Sequence, residues 1–352
     1  MQFKEVIDSY FPYYEDYSLT AIHTGNINKS YLLEIIINKN KNKYVLQQLN
    51  QTVFNDPIAV IDNSTLILDY MNNDLFYYLK TINGNKFYLD EDGRYWRLFN
   101  YVQNSISFNK TNDYDIVYQT GKAYGNFFSR LQNFNNNELK TTIPNFHNTK
   151  LRYQSLDVAV KNNPERYKKT QREYELLRQL KNHVCFLDCL IEDKKLPVRI
   201  THNDTKCNNV LFNRITHNYI TVIDLDTVML GAIAHDFGDG ARSICATEAE
   251  DSKDFENVSF DLNKFYYYTK GFAEEIKHFV LEIEKLTIYM GVLKITTELA
   301  VRFLTDYLLG DQYFKIDYPT QNLDRTINQL TLAFDIFDKQ NEIKEITYSL
   351  LK

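Results

Sequence analysis

The 352-residue sequence predicts an α+β chain with a small antiparallel-sheet N-terminal lobe and a larger, mostly helical C-terminal lobe. Short alternating or apolar runs separated by Asn/Lys/Gly stretches fill roughly the first hundred residues, the pattern of strands joined by hairpins. Beyond Asn104 apolar residues recur at helical spacing instead. A dense polar segment, Val198 to Arg242, with two strand-like runs, interrupts the helical part. No Pro/Gly-rich linker is visible, so the boundary is drawn as a hinge between packed lobes, residues 1–103 and 104–352. A hydrophobic content of 44% is ample for one large or two modest cores.

Taken in order, Ser18 to His23, Tyr31 to Ile37 and Tyr44 to Leu49 read as strands, with Asn38-Lys39-Asn40-Lys41-Asn42 as a turn. Asp56-Pro57 opens a helix, because proline at the first helical position lacks only an N–H that would be unpaired there. Lys86 to Leu89 and Arg94 to Val102 form a second strand pair around the turn Asp90-Glu91-Asp92-Gly93. Helices are expected over Asp115 to Leu131, from Asn163-Pro164 to Lys181, and over Leu262 to Lys277, Glu284 to Leu309 and Gln321 to Lys339.

A net charge of −6 offers no general electrostatic grip on nucleic acid or an anionic membrane, so neither is expected as a partner. No apolar run approaches the ~18–20 residues that span a bilayer. The opening MQFKEVIDSYFPYYED lacks the basic-then-apolar plan of a signal peptide. The four cysteines, at 185, 189, 207 and 245, read as free thiols in a reducing cytoplasm. His183, Cys185 and Cys189 fall short of the four ligands of structural zinc.

Residues 198–226 carry the chemistry. An apolar strand ends at Ile200, Val210 to Phe212 is a short strand, and Ile220 to Ile223 runs into Asp224. Inside this hairpin stands His202-x-Asp204-x-x-x-x-Asn209, and that spacing suits phosphoryl transfer from Mg-ATP. Catalysis there is mostly positioning and charge neutralisation. Asp204 suits the base that accepts the attacking hydroxyl's proton. Asp224 and Asn209 suit the oxygen ligands of Mg²⁺, with Asp226 as a possible sharer. Lys206 reads either as a point charge on the transferring phosphoryl group or as a surface lysine. His202 reads as a packed brace. Asp236-Phe237-Gly238 spells the metal triplet of protein kinases, yet no apolar strand precedes it, so Asp236 is expected to cap a turn. Farther on, Glu298, Arg302, Thr305 and Asp306 form a polar stripe on an apolar helix, read either as an ion-pair ladder facing water or, with Tyr313, as an acceptor surface.

These residues resemble the aminoglycoside phosphotransferase and choline kinase superfamily, small-molecule kinases with a protein-kinase-like bilobal fold. T-H-N-D-T-K-x-N-N-V (201–210), V-I-D-L-D-T-V-M (222–229), H-D-F-G-D-G-A-R (235–242) and R-F-L-T-D-Y-L-x-G-D-x-Y-F-K (302–315) are similar to the N-acetylhexosamine 1-kinases. The resemblance implies transfer of the ATP γ-phosphate to the anomeric hydroxyl of GlcNAc or GalNAc, with Mg²⁺ as cofactor and ATP and a small sugar as partners. It implies that Gly25, Asn26, Asn28 and Ser30 form the turn over the phosphates and that adenine docks near Tyr101 and Val102. It places Arg302, Tyr313 and Asp306 at the sugar, while Arg242 fits either the sugar site or a structural ion pair. One departure stands out: the strand lysine that usually grips the α- and β-phosphates corresponds to Gln47. Two other readings are an aminoglycoside or amino-alcohol kinase, with Glu248, Glu250, Asp251 and Asp254 receiving a cation, and an inactive nucleotide-binding module.

Overall fold

The computed structural model describes residues 2–22, 27–72 and 75–352. The chain divides into two compact units, one comprising residues 1–105, 134–144 and 224–229, the other residues 106–133, 145–223 and 230–352.

The first unit is built from α1 (Gln2–Tyr10), β1 (Asp16–Ile22), β2 (Lys29–Ile37), β3 (Asn40–Gln48), α2 (Pro57–Met71), β4 (Tyr78–Leu79), β5 (Tyr88–Leu89) and β6 (Tyr95–Asn100). The strands form one antiparallel sheet of order β1-β2-β3-β6-β4, with β5 also on β6. Asn38 and Lys39 both take positive φ, 51° and 62°, so the β2–β3 turn has two residues and Asn40 already pairs with Ile37. A primed turn of this kind matches the right-handed twist of its strands. The expected five-residue turn is shorter because Lys41 and Lys43 are drawn into the strand, where both pair with Glu34. Helix α1, which the sequence reading did not anticipate, lays Val6, Ile7 and Tyr10 on the sheet residues Leu33, Ile35, Leu46, Trp96 and Leu98. Helix α2 begins as expected: Pro57 opens it and the Asp56 carboxylate accepts the Ala59 N–H at 2.9 Å.

The chain passes through β7 (Ser105–Ile106) into the second unit, which carries α3 (Tyr114–Leu131), α4 (Thr149–Asn162), α5 (Pro164–Tyr167), α6 (Gln171–Val184) and α7 (Phe186–Glu192). Then follow β8 (Arg199–Thr201), β9 (Val210–Asn213), β10 (Tyr219–Val222) and β11 (Met229–Gly231), and the helices α8 (Ile233–Cys245), α9 (Leu262–Ile276), α10 (Glu282–Thr287), α11 (Met290–Leu309), α12 (Gln321–Asp338) and α13 (Gln340–Leu351). Two expected helices are each divided. The one from Asn163 breaks between α5 and α6, where the N–H groups of Lys169 and Thr170 bond three residues back rather than four. The one from Glu284 breaks before α11, where Gly291 meets α8.

That meeting explains Gly238, the last residue of the Asp-Phe-Gly triplet. A Cβ on Gly238 would lie 2.2 Å from the Gly291 carbonyl oxygen, and one on Gly291 would lie 1.7 Å from the Ala234 carbonyl oxygen. Only backbone fits between the two helices. Gly291→Ala should therefore destabilise the protein by about 1–3 kcal/mol, the usual cost of overpacking, or more, because backbone is what must move. A urea unfolding midpoint equal to that of the wild type would contradict this crossing.

Candidate active site

Asp204 lies in the loop that leaves β8, and this loop is held almost entirely through its backbone. Asn203 adopts a left-handed φ of 64°, which turns the chain sharply before Asp204. The Asp236 carboxylate, in the first turn of α8, accepts the N–H groups of His202 at 2.6 Å and Asn203 at 2.8 Å. One turn later Asp239 accepts the Thr205 N–H at 2.8 Å. The Tyr124 hydroxyl donates to the Lys206 carbonyl at 2.7 Å, and the Ile223 N–H donates to the Asn209 carbonyl at 2.8 Å. His202 is fully buried against Tyr124 and Phe127, and its Nε2 donates to the Ile223 carbonyl at 2.9 Å. Burial lowers its pKa, so the ring is a neutral brace.

On this rigid loop the Asp204 side chain faces two partners. Lys206 Nζ lies 3.1 Å from Oδ1, and the Asn209 amide donates to Oδ2 at 2.8 Å and to the Asp204 carbonyl at 2.9 Å. Asp204 raises the pKa of Lys206, so its ammonium stays charged. Because the Asn209 NH₂ group is committed to Asp204, its Oδ1 turns the other way as a neutral oxygen donor. The structure thus brings Asp204, Lys206 and Asn209 together.

Asp236 does not cap its own helix, contrary to expectation; both its oxygens serve the loop. Burial pushes its pKa up to about 8, against the pull of the two N–H donors. A folded-state pKa above the ordinary 3.8 means that the folded protein binds a proton here that the unfolded chain has released. The stability contributed by this group is full below that ordinary value and is lost as pH rises toward about 8. Asp236→Asn cannot titrate and can accept only one of the two N–H bonds. Its melting temperature should lie below that of the wild type at low pH, with the gap narrowing as pH rises; a constant gap would contradict the assignment.

Arg242 is 4% exposed, and its guanidinium pairs with Asp239 at 2.9 Å and Glu250 at 3.0 Å. Of its two readings the structure gives the ion pair, which keeps Asp239 charged despite its burial. Asp306 also departs from expectation. Its carboxylate accepts the N–H groups of Gln312, Tyr313 and Phe314 and the Asn322 amide, within 2.8–3.0 Å, so it shapes the turn after α11 and fixes the Tyr313 backbone. Arg302 does meet Tyr313, its Nη2 lying 3.4 Å from the hydroxyl. The expected polar stripe is not one surface: Glu298 is 1% exposed and turned toward His147, Thr149 and Lys294.

In the first unit Ser30, Gln47 and Arg97 stand side by side on β2, β3 and β6. Gln47 Nε2 donates to the Ser30 hydroxyl at 2.8 Å, and Gln47 Oε1 accepts from Arg97 Nε at 3.1 Å and Nη2 at 2.8 Å. Arg97, 1% exposed, continues to Asp226 through Nη1 at 2.7 Å and Nη2 at 2.9 Å. Asn28 also donates to Asp226, at 2.6 Å. Burial works against the guanidinium's charge, but Asp226 outweighs it and holds Arg97 protonated. Asp226 is therefore the counter-ion of Arg97. Asp224, two residues before it, takes a left-handed φ of 63°, a conformation that Asp adopts more readily than most non-glycine residues. Tyr101 and Val102 follow β6 directly; the Val102 carbonyl accepts the Ser105 hydroxyl at 2.7 Å, and Lys43 lies over the Tyr101 ring. Gly25 and Asn26 lie outside the described residues.

Sequence reasoning missed Arg97 and Asp239, and it read Asp236 as a cap where its carboxylate accepts the His202 and Asn203 N–H groups. The i, i+3 pair of carboxylates in His235-Asp236-Phe237-Gly238-Asp239 was a readable signal, but nothing near Arg97 points to a strand partner fifty residues away in the chain. Among the described residues no helix is long and apolar enough to cross a membrane, and no three His, Cys, Asp or Glu side chains gather as a metal cluster.

The antiparallel sheet of the first unit and the helical second unit with its braced Asp204 loop define a kinase-like phosphotransferase. The phosphotransferase enzyme family matches residues 19–258, and the chain belongs to that family. The fold is similar to that of a microcompartment-associated aminopropanol kinase, with a TM-score of 0.60 and 13% identity, covering 96% of this chain and 98% of that one. An aminoglycoside phosphotransferase from Alicyclobacillus acidocaldarius gives 0.60 and 13%, covering 99% and 94%. Choline kinase from Cryptosporidium parvum gives 0.57 and 14%, covering 99% and 95%.

Proposed function

We propose that the chain transfers the γ-phosphoryl group of ATP to the anomeric hydroxyl of an N-acetylhexosamine, giving the sugar 1-phosphate and ADP. The observation that carries the phosphoryl-transfer step is the Asp204 carboxylate, held at one oxygen by Lys206 and at the other by Asn209 on a loop whose backbone is braced by α8. Asp204 accepts the hydroxyl proton, the freed oxygen bonds to the γ-phosphorus, and the bond from that phosphorus to the β,γ-bridging oxygen breaks as ADP leaves. Lys206 sits where a fixed ammonium can stabilise charge on the transferring group. Asn209 Oδ1 and Asp224 are hard oxygen donors that fit Mg²⁺, which when bound neutralises the phosphate charge.

On the nucleotide side Asn28, Ser30 and Gln47 contact the phosphates, and Tyr101 and Val102 receive adenine. Gln47 is neutral, and Arg97, whose charge Asp226 balances, orients it from behind. Its two N–H bonds to Gln47 Oε1 fix the amide flip and direct the NH₂ group outward along the strand row.

The sugar reading rests on the resemblance in Arg302-Phe303-Leu304-Thr305-Asp306-Tyr307 and on Arg302 meeting Tyr313. The pairing of acidic residues disfavours a cationic acceptor: Glu250 pairs with Arg242, Asp251 with Arg325, and Glu248 accepts from Ser252. The intact Asp204, Asn209 and Asp224 set an active enzyme above a binding module. A coupled ADP-release assay with GlcNAc, GalNAc, choline, homoserine and an aminoglycoside should show turnover with a hexosamine. Turnover of choline or the aminoglycoside alone would overturn the acceptor assignment.

A further inference from the structure

Most partly or fully buried guanidiniums among the described residues, those of Arg94, Arg97, Arg166, Arg199, Arg242 and Arg325, face a carboxylate. Arg152 on α4 and Arg302 on α11 do not. Arg152 Nη2 donates to the Phe146 carbonyl at 2.8 Å, while its buried Nε–H has no acceptor among the described residues. Among the described residues Arg302 reaches only the Tyr313 hydroxyl, at 3.4 Å, and otherwise lies 5.6, 5.5 and 5.3 Å from the ring centres of Phe146, Tyr313 and Phe314. The two cations feel each other: burial lowers the Arg152 pKa first, and Arg302 lowers it further. Glu298 also acts on Arg152, but its oxygens are already engaged by His147 at 2.9 Å, by Lys294 at 3.3 Å and by Thr149.

Two like charges half out of water, with aromatic faces but no counter-ion, are costly to hold together. An anion bridging the pair removes that penalty, and paired guanidiniums suit the planar oxygens of a carboxylate or the face of a phosphate. We propose that Arg152 and Arg302 form a site for an anionic group, a carboxylate or a phosphate, carried by the acceptor. Calling that anion part of the acceptor rests on Asp204 as the point of transfer. His147, next to Phe146, packs against His235 with ring centres 5.0 Å apart and the rings tilted by 52°, and His235 immediately precedes the Asp236 that braces the Asp204 loop. The anion site therefore lies along a short chain of packed residues from the catalytic loop, all within the second unit.

The test compares matched acceptors in the ADP-release assay: GlcNAc, its 6-phosphate, N-acetylmuramic acid, and homoserine as a carboxylate-bearing alcohol without a sugar. At least one anionic member should exceed GlcNAc in kcat/KM by about tenfold or more, the share of one charge-assisted contact. In Arg152→Gln and in Arg302→Gln the anionic-to-neutral ratio should fall to near one, while Arg302→Lys retains most of the preference. Which anionic acceptor leads distinguishes phosphate from carboxylate. Calorimetry with the same anionic compounds reads binding independently of turnover. Equal or better use of GlcNAc, an unchanged ratio in both Gln variants, or no binding of any anionic probe overturns the proposal. Turnover confined to homoserine would leave the anion site standing and overturn the hexosamine reading; turnover confined to GlcNAc would do the reverse.

Discussion

Asp204→Asn should lower kcat by roughly 10²–10⁴-fold, the range expected when a positioned general base is removed. The affinity for Mg-ATP should change little. The substitution is nearly isosteric, and the loop does not depend on this side chain, because Asp236 and Asp239 hold the backbone of residues 202, 203 and 205. An amide at position 204 can keep Lys206 or Asn209 as a partner, but it cannot take the acceptor proton at neutral pH. Single-turnover kinetics with calorimetric ADP titration separates the two effects. Wild-type kcat in this variant would place the base elsewhere. Lost nucleotide binding with an unchanged melting temperature would make Asp204 part of the nucleotide site.

Removal of Arg97 should act on stability and nucleotide affinity together. Arg97→Met leaves the Asp226 carboxylate, only 3% exposed, without its counter-ion, and breaking a buried pair from one side costs about 3–5 kcal/mol. It also frees the Gln47 amide that Arg97 orients, so KM for ATP should rise roughly ten- to a hundredfold, the weight of a hydrogen bond to a charged group. The two consequences are separable. Adding Asp226→Asn to Arg97→Met removes the uncompensated charge and should recover much of the stability without recovering ATP affinity. Recovery of both would make Arg97 a structural tether alone. Moving the cation to its usual place with Gln47→Lys in the Arg97→Met background should restore part of the ATP affinity.

Local chemistry was the legible part of this protein. Alternating runs ended by Asn38-Lys39, proline after Asp56, and the five-residue spacing of Asp204 and Asn209 each impose their own geometry within a few residues, so strands, helix start and the turn that holds Asp204 follow from sequence alone. Helix α1 was readable in the same way, since Val6, Ile7 and Tyr10 sit at helical spacing, but its partner strands are distant and short helices are weakly marked. Other features depend on long-range partners. The Gln47–Arg97–Asp226 row joins residues 50 and 129 positions apart, and no local pattern selects one arginine over another as the partner of a glutamine. Asp236 looked like a capping residue because Asp is common at caps, whereas the donors it serves lie thirty-odd residues upstream. The helix break lies just before Gly291, where α11 crosses α8 at backbone contact, a packing constraint that local helix propensity does not reveal.

The most direct test of the central claim is phosphorus NMR of the product formed from ATP and the hexosamines. A new phosphomonoester resonance coupled to the anomeric proton, absent with Asp204→Asn, is the predicted result. A phosphoryl group on any other hydroxyl, or ADP formed equally well without an acceptor, would contradict it.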